Sequence, residues 1–151
     1  MTEQTTFREA IRADVPAVVA LLLDDALGTT REMSEPDLYF GAFDAMQAEG
    51  GNTLIVGEQE GRIIATYQLT FISGLSHRAT RRAQVESVRV ATHLRGEGIG
   101  TQMMADAEAR ARAAGCRMIQ LTTHASRNRA RTFYDSLDFT PSHVGYKRML
   151  D

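Results

Sequence analysis

The chain has 151 residues and a mass of 16.7 kDa, which suits a single domain, 1–151, that buries about 70% of the surface its unfolded form exposes. With 43% hydrophobic and 24% charged residues, a net charge of −2 and one cysteine, Cys116, the composition excludes a disulfide framework, a Cys-rich zinc site and a strongly basic nucleic-acid binder. No apolar run reaches the roughly 18 to 20 residues of a membrane span, and the first six residues lack the make-up of a secretory leader, so the expected setting is the cytoplasm with no membrane partner.

Residues 6–11 read as a short strand entering a helix, with Asp14 as N-cap, Pro16 in the first turn and an apolar stripe of Val15, Val18, Val19, Leu22 and Leu23. A second helix follows Ser34, with Leu38, Phe40, Phe43 and Met46 as packing residues, and Glu49-Gly50-Gly51-Asn52 ends it. Residues 54–56 and 63–71 read as strands joined by a turn at Glu60-Gly61. A polar, basic connection over 73–82 leads to a strand at 84–90. The period then changes: Ile99, Met103, Ala107 and Ala111 are spaced by four, which predicts a helix over 98–114 ended by Gly115. A strand at 118–121, a short helix at 127–137 and final strands within 139–150 complete the order βα(α)βββαβαβ, a mixed α/β sheet.

Charge is distributed unevenly along this order. Residues 13–61 carry ten acids against one base, giving −9, whereas residues 62–151 carry fourteen bases against seven acids, giving +7. A basic half can hold a polyanionic ligand, and an acidic half can attract a cation.

The most informative segment is Arg95-Gly96-Glu97-Gly98-Ile99-Gly100-Thr101, between a strand and the start of a helix. Glycines at alternate positions let backbone N–H groups approach an anion, the helix start adds unpaired donors, and Arg95 adds charge. The loop lacks the Gly-Lys-Ser/Thr ending of a P-loop, and Thr101 stands where a dinucleotide fingerprint has its third glycine. A tight turn without a ligand is the competing reading.

Arg95-x-x-Gly98-x-Gly100, following Val85-Glu86-Ser87-Val88-Arg89-Val90, resembles the coenzyme A signature of the GNAT family of N-acetyltransferases. The segment from Asn128 to Phe139 resembles that family's second motif, with Asp138 in place of the usual glycine, a position where Asp tolerates a left-handed backbone. The resemblance implies a mostly antiparallel sheet splayed between its fourth and fifth strands and flanked by about four helices. It also implies acetyl-CoA as cosubstrate and no metal. Val88 and Val90, with Arg89 between them, would flank the pantetheine arm, and Arg95, Gly96, Glu97, Gly98, Ile99, Gly100 and Thr101 would hold the pyrophosphate. Asn128 and Arg131 complete the expected coenzyme contacts.

The resemblance places Tyr134 at the sulfur as general acid, with the Val88 N–H polarising the thioester carbonyl; packing like that of Phe133 is the alternative for Tyr134. Glu86 is the candidate base, acting through a water, because strand alternation puts it on one face with Gln84, Val88 and Val90. The alternative is an ion pair with Arg62, Arg78, Arg81 or Arg82. Of the four histidines only His124 is a minor site candidate, and Cys116 reads as a small buried residue.

The acceptor pocket is expected between the N-terminal helices and the connection before the fourth strand. Asp24, Asp25, Glu32, Glu35 and Asp37 favour a cationic amine, with Tyr39, Phe40, Phe43, Tyr67 and Phe71 as lining. The stretches from Phe71 through Glu86 and from Thr122 through Tyr134 more loosely resemble aminoalkylphosphonate acetyltransferases, which would make Arg78, Arg81 and Arg82 anion holders. A small-amine acetyltransferase leads; a protein lysine or N-terminal acetyltransferase and a non-catalytic acyl-CoA-binding module are the alternatives. Homodimerisation through the last strands is in keeping with the resemblance.

Overall fold

The computed structural model describes residues 4–24 and 35–151. Strand β1 (Thr6–Glu9) leads through a 3-10 turn (Arg12–Asp14) into helix α1 (Val15–Leu23), and helix α2 (Pro36–Glu49) precedes strands β2 (Asn52–Gln59) and β3 (Arg62–Ile72). A left-handed turn at Ser76–Ala79, with positive φ at His77, Arg78 and Ala79, connects to β4 (Arg82–Val90). A second 3-10 turn (Thr92–Leu94), helix α3 (Ile99–Ala113), strand β5 (Met118–Leu121) and helix α4 (Asn128–Ser136) follow. The strands lie in the order β1-β2-β3-β4-β5, antiparallel except for the parallel pair β4–β5.

The larger core lies where α3 crosses one sheet face. Its residues at spacing four, Ile99, Met103, Ala107 and Ala111, pack on Ile55, Ala65, Tyr67, Leu69, Ala83 and Val85, as the helical period dictates. Burial of these apolar side chains is the main stabilising term. Cys116 is buried here. On the other face α1 and α2 enclose a smaller cluster of Val15, Val18, Phe43 and Val56, with Phe40 half-buried beside it. Leu38, expected to pack, is instead 60% exposed, because it falls on the outer side of the first turn of α2.

Asp14 occupies the N-cap position of α1, but its carboxylate does not cap that helix. It accepts the Ile11 N–H at 2.8 Å and the Arg8 guanidinium at 2.7 and 3.1 Å, and the latter holds its carboxyl below the usual range.

Two further expectations are corrected. Tyr67 does not line an acceptor pocket: it is fully buried under α3, where its hydroxyl donates to Asp106 Oδ2 at 2.5 Å. Arg110 Nε also donates to that oxygen at 2.8 Å, and its Nη2 donates to the Phe7 carbonyl at 3.2 Å, so β1, β3 and α3 are tied together. Desolvation and the adjacent Asp106 carboxylate both raise the Tyr67 pKa. The final strands within 139–150 are not formed: residues 140–151 have no regular structure and are exposed throughout. No ladder joins this segment to either edge of the sheet formed by the described residues.

Candidate active site

Four register pairs join β4 to β5: Arg82↔Met118, Ala83↔Ile119, Gln84↔Gln120 and Val85↔Leu121. There the ladder ends. β5 stops at Leu121 while β4 runs on to Val90, so the edge of residues 86–90 that turned towards β5 now borders a cleft. Main-chain groups along such an edge are donors and acceptors without a strand partner.

Within that stretch β4 carries a bulge. Glu86 pairs with Gln68 and Arg89 with Thr66, so Ser87 and Val88 stand opposite the single residue Tyr67. Ser87 takes φ +54°, the left-handed conformation that absorbs the extra residue. The bulge overturns the expected alternation. Glu86 shares its face with Gln84 and Arg89, whereas Val88 and Val90 turn to the α3 side and pack against the larger core.

The face that holds Glu86 carries two hydrogen-bonded sets of polar side chains. Gln68 Nε2 donates to Asn52 Oδ1 at 2.8 Å. Gln120 Nε2 donates to Gln84 Oε1 at 2.7 Å, and Gln84 Nε2 donates to Glu86 Oε1 at 3.0 Å. Arg82 Nη1 reaches Gln120 Oε1 at 3.5 Å. Glu86 is half-buried, and its partner is this amide rather than Arg62, Arg78, Arg81 or Arg82. Arg81 instead donates to Ser73 Oγ at 3.0 Å and sits 5.5 Å from the Phe71 ring centroid. Arg89 is 6% exposed, and its Nη1 donates to the Val88 carbonyl at 2.9 Å.

Beyond the cleft the chain turns into α3 through the glycine loop. Gly96 and Gly98 take φ +83° and +84°, and Gly98 is the N-cap of α3. No side chain caps this end, and no acidic residue lies in its first turn. The first-turn donors and the positive end of the helix dipole therefore remain available for an anion, beside the exposed Arg95 and Thr101. Gly100 serves packing: a Cβ there would stand 3.2 Å from Cζ of Phe133.

That contact seats α4 against the loop. Phe133 and Tyr134 pack with ring centroids 5.1 Å apart, and Phe139 meets Tyr134 edge-on at 5.8 Å. Burial raises the Tyr134 pKa, while the charges of Arg127 and Arg89 act to lower it. Arg89 is thus close enough to act electrostatically on the phenol while lying on the Glu86 face of β4. Asp138 takes φ +66°, the left-handed conformation expected where the motif usually has glycine. Asn128 opens α4 and Arg131 lies one turn on, both exposed.

The acceptor-side residues are more dispersed. Asp24 accepts from Thr92 Oγ1 at 2.5 Å and, with Leu21, Leu23 and Ile63, borders an open depression at the end of α1. Glu35 and Asp37 are exposed at the start of α2, and Asp25 and Glu32 lie outside the described residues. Phe43 is locked into the smaller core and does not line a pocket. His124 is exposed, with Nδ1 2.7 Å from Ser126 Oγ. Among the described residues no group of three or more His, Cys, Asp or Glu is arranged to hold a metal ion, and no helix is long and apolar enough to cross a membrane.

Sequence reasoning missed the amide chain through Gln84 and Gln120. Its only signal is two glutamines at half-buried strand positions, which become partners once the β4–β5 register is known.

A family model described as the acetyltransferase (GNAT) family matches residues 18–139. The aminoalkylphosphonate N-acetyltransferase of Salmonella typhimurium strain LT2 is 32% identical over 74 residues, which are 49% of this chain and 48% of that protein. A transcriptional regulator from Bacillus halodurans C-125 is 39% identical and superposes with a TM-score of 0.93 over 97% of this chain and 100% of its own. A proposed acetyltransferase from Agrobacterium tumefaciens strain C58 is 26% identical, with a TM-score of 0.85 over 96% of this chain and 99% of its own. The chain belongs to the acetyltransferase (GNAT) family.

Proposed function

We propose that the protein transfers the acetyl group of acetyl-CoA to the primary amine of a small molecule. The observation that carries this reading is the end of the β4–β5 ladder at Val85↔Leu121, past which β4 runs on from Glu86 to Val90 and leads into the glycine loop that opens α3. The pyrophosphate would rest on the uncapped start of α3, between Arg95 and Thr101, with Gly96, Glu97, Gly98, Ile99 and Gly100 supplying backbone. The pantetheine arm would run along main-chain groups of Val88, Arg89 and Val90, with Asn128 and Arg131 on the opposite wall.

In the reaction Glu86, held by Gln84, takes a proton from the ammonium acceptor through a water. The neutral amine attacks the thioester carbonyl, whose oxygen accepts from the Val88 N–H; the C–N bond forms and the C–S bond breaks. Tyr134 donates its phenol proton to the departing thiolate, and the second nitrogen proton, shed as the amide forms, returns the phenolate to phenol through solvent. Burial raises the phenol pKa and makes it a weaker acid, so the transfer depends on its placement as a hydrogen-bond donor to the sulfur. A small amine is favoured over a peptide by the kinship to an aminoalkylphosphonate N-acetyltransferase and by the floor of amides and a carboxylate, which bonds polar groups from below.

Thermal unfolding with acetyl-CoA at about 100 times its dissociation constant should raise stability by about 2.7 kcal/mol, a Tm shift of about 5 to 10 °C. Thiol release is then screened across amines, including aminoalkylphosphonates, against lysine peptides. Tyr134→Phe should lower kcat about 100-fold while leaving the acetyl-CoA shift intact. No shift with either acetyl-CoA or CoA would sink the reading, and turnover confined to peptides would replace the small acceptor by a protein.

A further inference from the structure

The end of β4 remote from the glycine loop borders a second concavity. The turn before β4 and the start of β5 form an open depression of about 530 Å³, lined by His77, Arg78, Thr80, Arg117 and Met118. The Arg117 amide donates to the Arg81 carbonyl at 3.0 Å, which clamps the two segments together just before the ladder begins at Arg82↔Met118.

The backbone of this turn is strained. His77, Arg78 and Ala79 take φ +53°, +60° and +61° in succession, although L-residues visit the left-handed region singly. Thr80 holds the strain in place: its Oγ1 donates to the His77 carbonyl at 2.5 Å, and its amide donates to the Ser76 carbonyl at 3.2 Å. Strain kept by specific bonds is characteristic of ligand clamps.

Charge here is of one sign. No Asp or Glu lies between residues 61 and 85 or between residues 109 and 134. Among the described residues, no ion pair includes His77, Arg78, Arg81, Arg82 or Arg117. Arg81 is drawn aside by Ser73 and Phe71, and its Nε is buried without a hydrogen-bond partner among the described residues. Cations gathered with no carboxylate between them repel one another, and a multiply charged anion relieves that repulsion.

We propose that this depression is a second anion site, which takes the phosphoryl group of a small phosphorylated molecule. Arg78 and Arg117 present planar guanidinium forks that match two phosphoryl oxygens, and His77 adds a third polar group. The volume is that of a site for an organic ligand rather than a lone ion. The site is separate from the acetyl-transfer cleft: Thr80 precedes Glu86 by six residues, about 20 Å of extended chain, and the glycine loop lies beyond the opposite end of β4. A small acceptor with its amine at Glu86 does not span that distance.

Calorimetric titration of the full chain with pyrophosphate and with a nucleoside monophosphate, in about 150 mM salt, tests this. Saturable binding of at least one probe is expected, weakened at least tenfold by Arg78→Ala and by Arg117→Ala. Both positions are exposed, so each variant should keep the parent's melting temperature. Arg95→Ala tells the two anion sites apart and should leave this binding unchanged. Binding lost with Arg95→Ala but kept in the other two variants belongs to the glycine loop and overturns the proposal. Binding that none of the three substitutions alters is a diffuse ion atmosphere and also overturns it. So does the absence of saturable binding by either probe up to about 10 mM. The readout involves no turnover, so its failure leaves the acetyl-transfer reading untouched.

Discussion

On the α3 side β3 and β4 present Ala65, Tyr67, Leu69, Ala83 and Val85, none more than 1% exposed, whereas on the other side β2, β3 and β4 present Asn52, Gln68, Thr70, Gln84 and Glu86, half-buried, with Gln68 bonded to Asn52 and Gln84 to Glu86. Neighbouring residues of one strand therefore belong to different regimes. The apolar side draws its free energy from burial and tight packing. The polar side contributes little net stability, because its groups exchange water partners for protein partners, but it fixes where a carboxylate sits. The two sides should respond to substitution in different currencies: melting temperature on one, rate on the other.

The largest effect expected is from Tyr67→Ala. Removing this fully buried ring should cost about 3 to 5 kcal/mol and lower the Tm by about 10 °C or more, with kcat/KM nearly unchanged at temperatures where the variant is folded. A large rate loss in the folded variant would break the separation between the sides. Glu86→Gln should do the opposite, lowering kcat/KM about 100-fold, or about 2.7 kcal/mol, with stability within about 0.5 kcal/mol of the parent. The loss should be greatest below the acceptor amine's own pKa, where the substrate arrives protonated and needs a base, and an unaltered pH–rate profile would remove Glu86 as base. Gln84→Leu acts on the carboxylate only through its orientation. A loss of about tenfold in kcat, about 1.4 kcal/mol, is expected, with an unchanged KM for acetyl-CoA. If kcat is unchanged, the amide chain is merely structural. The smallest change, Asp138→Gly, touches neither side. It relieves a left-handed non-glycine residue and should raise stability by about 0.5 to 1 kcal/mol in a thermal melt, with rates intact; a fall in Tm would mean that the Asp138 side chain has a structural partner.

Much of this arrangement was legible beforehand. The spacing of Ile99, Met103, Ala107 and Ala111 marks α3, Gly115 ends it with φ +81°, and the left-handed Asp138 follows from its place in the motif. The bulge was not legible, because a serine at positive φ carries no composition signal; it reversed the expected company of Glu86 from Val88 and Val90 to Arg89. Tyr67 was misjudged because its phenol reads as a pocket-lining group, although Ala65, Leu69 and Phe71 share its side of β3 and Thr66, Gln68 and Thr70 lie on the other. The final strands were expected for a different reason: residues 140–151 have a strand's side-chain pattern, but a pattern does not say whether the segment joins a ladder, and here it does not.

Phe133 resting on Gly100 has one more consequence. The first turn of α3 and the phenol on the adjacent residue of α4 are parts of one packed unit, so Tyr134 does not have to be recruited when a ligand arrives. Its rotational freedom was given up when the chain folded. The binding energy of the cosubstrate is then left for aligning the thioester, which is the preorganisation on which rapid group transfer depends.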